Sequence, residues 1–346
     1  MKLVRLIAIN LAVFFLLLAL LEGALRVAYP GLHSMGSDYT LFRAVDGGYA
    51  YAPNARGYAH GALFEIDADG FRKFSSTPAD HRDKILLVMG DSVTVGVGVQ
   101  ADAIYPALLD KELTSSRVVN AAVSGYGFSD YVVRLRKLLP ELRPEGVVLG
   151  LCLNDLSRTS QTNIVAELKD RRKTWDDYVV RYPNPIIRTL RYADDNYLGV
   201  NRYLNRYWLT SIWLKNMFAD SPKNHFLAEY AMYERPDAPS RLRDELSAIQ
   251  TLVRANGAWL QLMVFPYEYQ MRVKDPQLFS PQRLITETAK SLGISILDPI
   301  HVMVGRPSKD LFLYVDPAHF SASGHKIVEQ TLREHLVSAG RVSVRQ

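Results

Sequence analysis

The chain has 346 residues, of which 48% are hydrophobic and 22% charged, and a formal net charge of +5. That length can bury the core of one large α/β domain or two small ones, and the composition excludes a disordered chain. The basic residues are scattered rather than gathered into a stripe, which argues against nucleic acid as a partner.

Lys2 and Arg5 precede Leu6–Leu21, an apolar run broken only by Asn10, and a further apolar turn leads to a stop at Pro30. A helix of about 20 residues crosses a bilayer core of about 30 Å. No clean A-x-A-like site for signal cleavage stands around Glu22–Tyr29, so residues 1–29 read as a retained anchor, with a cleaved signal as the alternative. The leading positive charges place the N-terminus in the cytoplasm, and the rest of the chain outside that membrane. The expected location is therefore a bacterial inner membrane, single-pass, with the folded part facing the periplasm or outside.

Residues 30–83 read as an irregular extension, with turns at Asp46-Gly47-Gly48, Pro53-Asn54 and Asp69-Gly70 and short strands near Tyr49–Tyr51 and Leu63–Ile66. Asp67 and Asp69 beside Gly70 lack the full spacing of a calcium loop and read as a tight turn. From Lys84 a rhythm of strands and helices begins. Strands are expected at Lys84–Met89, Arg117–Ala122, Gly146–Leu153, Trp259–Phe265 and Ile294–Leu297. Helices are expected at 103–114, Tyr126–Leu139, Arg241–Asn256, Pro281–Leu292 and Ser323–Val337. Short apolar strands alternating with helices predict an open parallel sheet with helices on both faces, a three-layer, flavodoxin-like α/β fold over 84–340. Cys152 lies in an apolar run and reads as a buried, inert thiol; as the only cysteine it excludes an internal disulfide. Residues 156–240 are too long for a simple connection. They are rich in Tyr, Trp, Arg and Asn, read as a mostly helical insertion, and could form a lid, a glycan-binding wall or an amphipathic cap packed on the core.

Ligands in such sheets bind at the carboxyl ends of the strands. The first strand is followed by Gly90-Asp91-Ser92, the second by Asn120 and Gly125, the third by Asn154-Asp155. The loop before the last helix holds Asp316-Pro-Ala-His319. A serine needs a base, and the base needs an orienter; Asp316 and His319, three residues apart, can serve Ser92 in those roles. The Ser92 N–H, the Gly125 N–H and the Asn154 amide can donate to one oxyanion. Gly96-x-Gly98-x-x-Ala101 fits a loose dinucleotide fingerprint, but its glycines come too late after the strand and Asn120 stands where an acidic ribose ligand is expected. No P-loop and no H-E-x-x-H motif is present, and His301, His325 and His335 read as surface or packing residues. No metal and no cofactor is expected.

These ordered blocks resemble the SGNH hydrolase superfamily, also called GDSL esterases/lipases, over roughly residues 84–155 and 258–337. The resemblance implies the three-layer fold, Ser92 as nucleophile, His319 as general base, Asp316 as its orienter, and an oxyanion hole of Ser92, Gly125 and Asn154. Val93-Thr94 stands where many members have leucine first, and Cys152 where glycine is usual, with a glycine at 150. Asp69-Gly70-Phe71-Arg72 is similar to a short element of envelope-associated members near surface-polysaccharide machinery. The expected reaction is ester hydrolysis through an acyl-enzyme, first of all removal of O-acetyl groups from an extracytoplasmic glycan. Lipase or thioesterase action on membrane-derived esters, O-acetyl transfer by the same triad, and a non-catalytic role in a polysaccharide export assembly are the alternatives. Oligomeric state is not legible.

Overall fold

The computed structural model describes residues 2–28, 36–46, 48–75, 82–157, 175, 185–194, 198 and 200–345. The chain divides into two compact units. One comprises Met1–Gly36 with Asp170–Asp220, the other Ser37–Lys169 with Ser221–Gln346.

The larger unit is built on a parallel sheet. Its strands are β5 (Lys84–Met89), β6 (Ser116–Asn120), β7 (Gly146–Leu151), β8 (Trp259–Val264) and β9 (Ser295–Leu297), in the order β6-β5-β7-β8-β9. With β5 as the first strand, this is the 2-1-3-4-5 order of doubly wound sheets. The strands are apolar on both faces because both are covered: Ile85 to Met89 and every residue of β7 are buried. Each such aliphatic side chain contributes about 1.5–3 kcal/mol on burial, so these runs fix the sheet.

Two expected strands end two residues early, each for a polar reason. β6 ends at Asn120, whose Oδ1 accepts from the Ala122 N–H and turns the chain. β7 ends at Leu151, because Asp155 Oδ2 accepts the Cys152 N–H and bends the next residues into a short helix, Asn154–Ser157. The helix expected over Tyr126–Leu139 spans Phe128–Leu142, carries Pro140 inside its last turn, and stops at Arg143 in the left-handed region. The remaining expected helices are found within three residues of their limits, as Tyr105–Glu112, Ala238–Ala255, Ser280–Ser291 and Ala322–Ser338.

The extension holds two antiparallel hairpins. In the first, β1 (Phe42–Val45) pairs with β2 (Gly48–Tyr51); in the second, β3 (Arg56–Ala59) pairs with β4 (Ala62–Glu65). Each expected strand here is one arm of a hairpin whose other arm carried no clear alternation. Asp67 Oδ1 accepts the N–H groups of Asp69 and Phe71, and Gly70 takes φ +85°, so this segment is a turn.

Among the described residues, the smaller unit contains α1 (Lys2–Ala28) and three insertion helices, Pro185–Ala193, Val200–Tyr207 and Leu209–Phe218. α1 is long and apolar enough to cross a membrane, as an anchor or a signal sequence would be. Pro30, the expected helix stop, and most of residues 158–184 lie outside the described residues.

Candidate active site

The Gly90-Asp91-Ser92 turn follows β5 directly. Gly90 has φ +152°, and a Cβ there would lie 2.2 Å from Thr94 Oγ1 and 2.9 Å from the Gly150 carbonyl, so only glycine fits. Asp91 caps the short helix Ser92–Val95 by accepting the Val93 N–H at 2.9 Å. Its other oxygen, Oδ2, accepts from Ser92 Oγ at 3.3 Å and from Asn154 Nδ2 at 3.4 Å. One buried carboxylate thus draws together the serine and the asparagine. Cys152, buried as expected, has Sγ 3.5 Å from Asp91 Oδ1.

Gly125 lies in the loop after β6 with φ +89°. That loop is joined to the serine turn by the Val123 N–H, which donates to the Gly90 carbonyl at 3.1 Å. It is also held from the first hairpin. Tyr49 Oη donates to the Ser124 carbonyl at 3.0 Å, and Tyr51 Oη bonds Ser124 Oγ at 2.8 Å.

Asp316 and His319 form a pair, with His319 Nδ1 2.8 Å from Asp316 Oδ2. Asp316 Oδ1 accepts the backbone N–H groups of Ala318 and His319, so the Asp-x-x-His spacing closes on its own turn. Burial raises the Asp316 pKa, but His319 and then His60, by charge and hydrogen bonding, outweigh it and hold the carboxyl well below the usual range. His319 Nε2 is the ring nitrogen left for proton transfer, and it is shielded from solvent. Val315, just before Asp316, has φ +55°, a conformation that costs a β-branched residue of order 1–3 kcal/mol and that active-site loops commonly retain.

Sequence reasoning missed four contributors. Asp91 was read only as part of a motif, although it organises the site. His60, at the tip of the second hairpin with φ +47°, places Nδ1 3.7 Å from Asp316 Oδ2 and its ring edge-on to His319 at 5.2 Å. Tyr49 and Tyr51 are the others. The alternation Tyr49-Ala50-Tyr51 was a signal of a buried face; for His60 there was none, since its role depends on where a hairpin folds. His60, Asp316 and His319 also offer three ligand atoms within 4.8 Å of one another, a set that a divalent ion could share.

The chain is 41% identical over 71 residues to Thioesterase 1/protease 1/lysophospholipase L1 of Escherichia coli K12, covering 20% of this chain and 34% of that protein. It is 40% identical over 74 residues to Esterase TesA of Pseudomonas aeruginosa, covering 20% of this chain and 37% of that one. The chain thus spans only about a third of the length of these curated relatives. Among solved structures, one of TesA superimposes with a TM-score of 0.42 at 17% identity, over 73% of this chain and 98% of that one. An acetylxylan esterase, Axe2 of Geobacillus stearothermophilus, gives a TM-score of 0.41 at 16% identity, over 73% and 94%. The signature of the GDSL-like lipase/acylhydrolase family matches residues 88–327, well over half of the sequence, and the chain belongs to that family, whose members are hydrolases of ester bonds.

Proposed function

We propose that the protein is a serine esterase in which Ser92 is the nucleophile, His319 the general base and Asp316 its orienter. The observation that carries this is the Asp316–His319 pair, with its carboxylate buried, in the same unit as a serine turn that only glycine at position 90 allows. The Ser92 hydroxyl turns from Asp91 toward His319 Nε2, gives up its proton there, and its oxygen bonds the acyl carbon. The carbonyl electron pair moves onto the oxygen, which the Ser92 and Gly125 N–H groups and the Asn154 amide stabilise. Collapse expels the alcohol, which takes the proton from His319. Water then repeats the sequence and releases the acid; a sugar hydroxyl in place of water would give transfer.

α1 is read as a retained anchor that holds this chemistry at the outer face of a bacterial inner membrane, and the first choice of substrate is an O-acetylated glycan. The apolar anchor and the envelope-like Asp69-Gly70-Phe71-Arg72 element support that choice. A second reading, a lipid or thioester substrate, draws on the named activities of the Escherichia coli relative.

Ser92→Ala is expected to abolish labelling by a fluorophosphonate, and Asn154→Ala to slow turnover by about 10² to 10³ with the fold intact. Persistent labelling of Ser92→Ala would remove the nucleophile assignment. A series of aryl esters from acetyl to palmitoyl separates the substrates: activity confined to acetyl favours the glycan, and activity rising with length favours lipid.

A further inference from the structure

Among its described residues, the smaller unit holds several exposed apolar side chains. In the helix Pro185–Ala193, Ile186 and Leu190 lie four residues apart on one face and are 70% and 64% exposed. In Leu209–Phe218, Met217 and Phe218 are 60% and 86% exposed. Val200–Tyr207 exposes Tyr203 and Tyr207, whose rings meet at 4.9 Å.

These helices are fastened to α1 at one level. Glu22 Oε1 accepts the Leu209 N–H at 3.1 Å, and Oε2 accepts the Thr210 N–H at 2.8 Å and the Thr210 hydroxyl at 2.7 Å. Arg26 bridges Glu22 at 2.7 Å and donates to the Tyr207 carbonyl at 3.0 Å. The start of the helix Leu209–Phe218 is therefore capped by a side chain of α1. Glu22 is the first charged residue after the run Leu6–Leu21, which rises about 24 Å, close to the hydrocarbon thickness of about 30 Å. A helix that begins at Glu22 begins at the membrane boundary. Tyr203, Tyr207 and Trp208 gather there, as aromatic residues do at bilayer interfaces, and Arg188, Arg191 and Lys215 can meet anionic headgroups.

We propose that the insertion helices 185–218 form a membrane-interfacial platform. Their exposed apolar faces are seated in the headgroup and upper acyl region of the bilayer that α1 spans, and Glu22 sets their depth. A lipid surface is favoured over a protein partner because the platform is hydrogen-bonded to the apolar helix at the level where its charges begin. The proposal rests on the retained-anchor reading and is independent of the ester chemistry.

Cys152 is buried, so single surface cysteines report cleanly in the full chain. Phe218→Cys, Leu190→Cys, Leu11→Cys and, as a control in the larger unit, Lys290→Cys would each carry an NBD fluorophore. Each variant is reconstituted in vesicles of phosphatidylethanolamine and phosphatidylglycerol, and circular dichroism verifies its fold. Positions 218 and 190 are expected to emit blue-shifted light quenched best by a shallow nitroxide lipid, position 11 to be quenched best by a deep one, and position 290 to stay water-like. In a Glu22→Ala background, shallow quenching at 218 is expected to fall while deep quenching at 11 persists. Water-like emission at 218 and 190 with deep quenching at 11 would overturn the platform and leave the anchor standing. Blue-shifted emission that no lipid quencher reaches would mean a protein covers the face, and would also overturn it. Loss of quenching at 11 would overturn anchor and platform together.

Discussion

Asp316, the orienter of the proposed triad, has more partners than His319 Nδ1 alone. Besides His319 Nδ1 and two backbone amides, it faces His60 from the second hairpin. At 3.7 Å His60 is a positioning residue: it steadies the carboxylate that steadies the base, and touches no reacting atom in the proposed mechanism. A contact of this length is electrostatic rather than a hydrogen bond, and contributes on the order of 1 kcal/mol. His60→Phe is therefore expected to lower kcat/KM on an aryl acetate by roughly 3- to 10-fold, mostly through kcat. The same substitution removes one of the three ligand atoms that an added ion could use. Zinc at micromolar level is expected to inhibit the wild type by drawing Asp316 and His319 out of the triad, and His60→Phe to resist it. Equal zinc sensitivity in both proteins would show that the three groups do not act as one cluster.

At the scale of elements, the hairpins of the extension brace the serine turn and the loops around it. Arg72 does so most directly. It is 1% exposed, donates to the carbonyls of Val95, Gly96 and Val99 at 2.6–2.7 Å, and stacks over Phe64 at 3.7 Å. Burial pulls its pKa down to about 10, still charged at neutral pH. Hydrogen bonds from a charged group contribute about 1.5–3 kcal/mol each, and losing Arg72 takes a donor from three carbonyls of the turn after Ser92, of which Gly96 keeps the Val99 N–H. Arg72→Met is expected to lower Tm by roughly 10 °C. Arg72→Lys is expected to recover little of it, because a single ammonium cannot span carbonyls arranged for a fork. A Tm within 2 °C of wild type for the methionine variant, on the scale of about 1 kcal/mol, would show that the extension does not brace the turn. The contrast with the sheet explains what could be read in advance. β5 beyond Lys84 and β7 are continuous apolar runs because both faces are covered, β8 is broken only by Gln261, and that pattern is local to each strand. The order of Ser92, Asn154 and the Asp316–His319 pair followed from it, since strand ends in such sheets converge. Arg72 and His60 act across 20 to more than 250 residues of sequence, through turns whose placement depends on hairpin packing, and nothing local to either residue marks its partner.

Across the whole molecule, acid resistance depends on groups kept in one protonation state by the fold. His325, at the start of the closing helix Ala322–Ser338, accepts the Tyr105 N–H through Nδ1 and packs between Tyr105 and Phe320. That bond ties the last helix to Tyr105–Glu112, on the same unit as the sheet. Burial first, then the charges of Arg72 and His319, push its pKa down to about 3 from 6.5. Between those values the unfolded chain takes up a proton that the folded chain refuses, so stability falls as pH falls, by up to about 1.4 kcal/mol per pH unit. Asp316 acts in the same direction in a lower window: its depressed pKa gives stability that is lost only as pH drops below the ordinary carboxyl value near 3.8. Asp298, Glu245 and Glu329, raised chiefly by burial, work the other way above their ordinary values of 3.8 and 4.5, so the net curve alone would not identify the histidine. A difference between two proteins does. His325→Gln, which keeps a polar group of similar size, is expected to be less stable than wild type at pH 7 through poorer packing. Between pH 7 and pH 4.5 it should lose about 2–3 kcal/mol less than wild type, measured by denaturant unfolding in detergent. Parallel losses in the two proteins would mean that His325 titrates near its ordinary value.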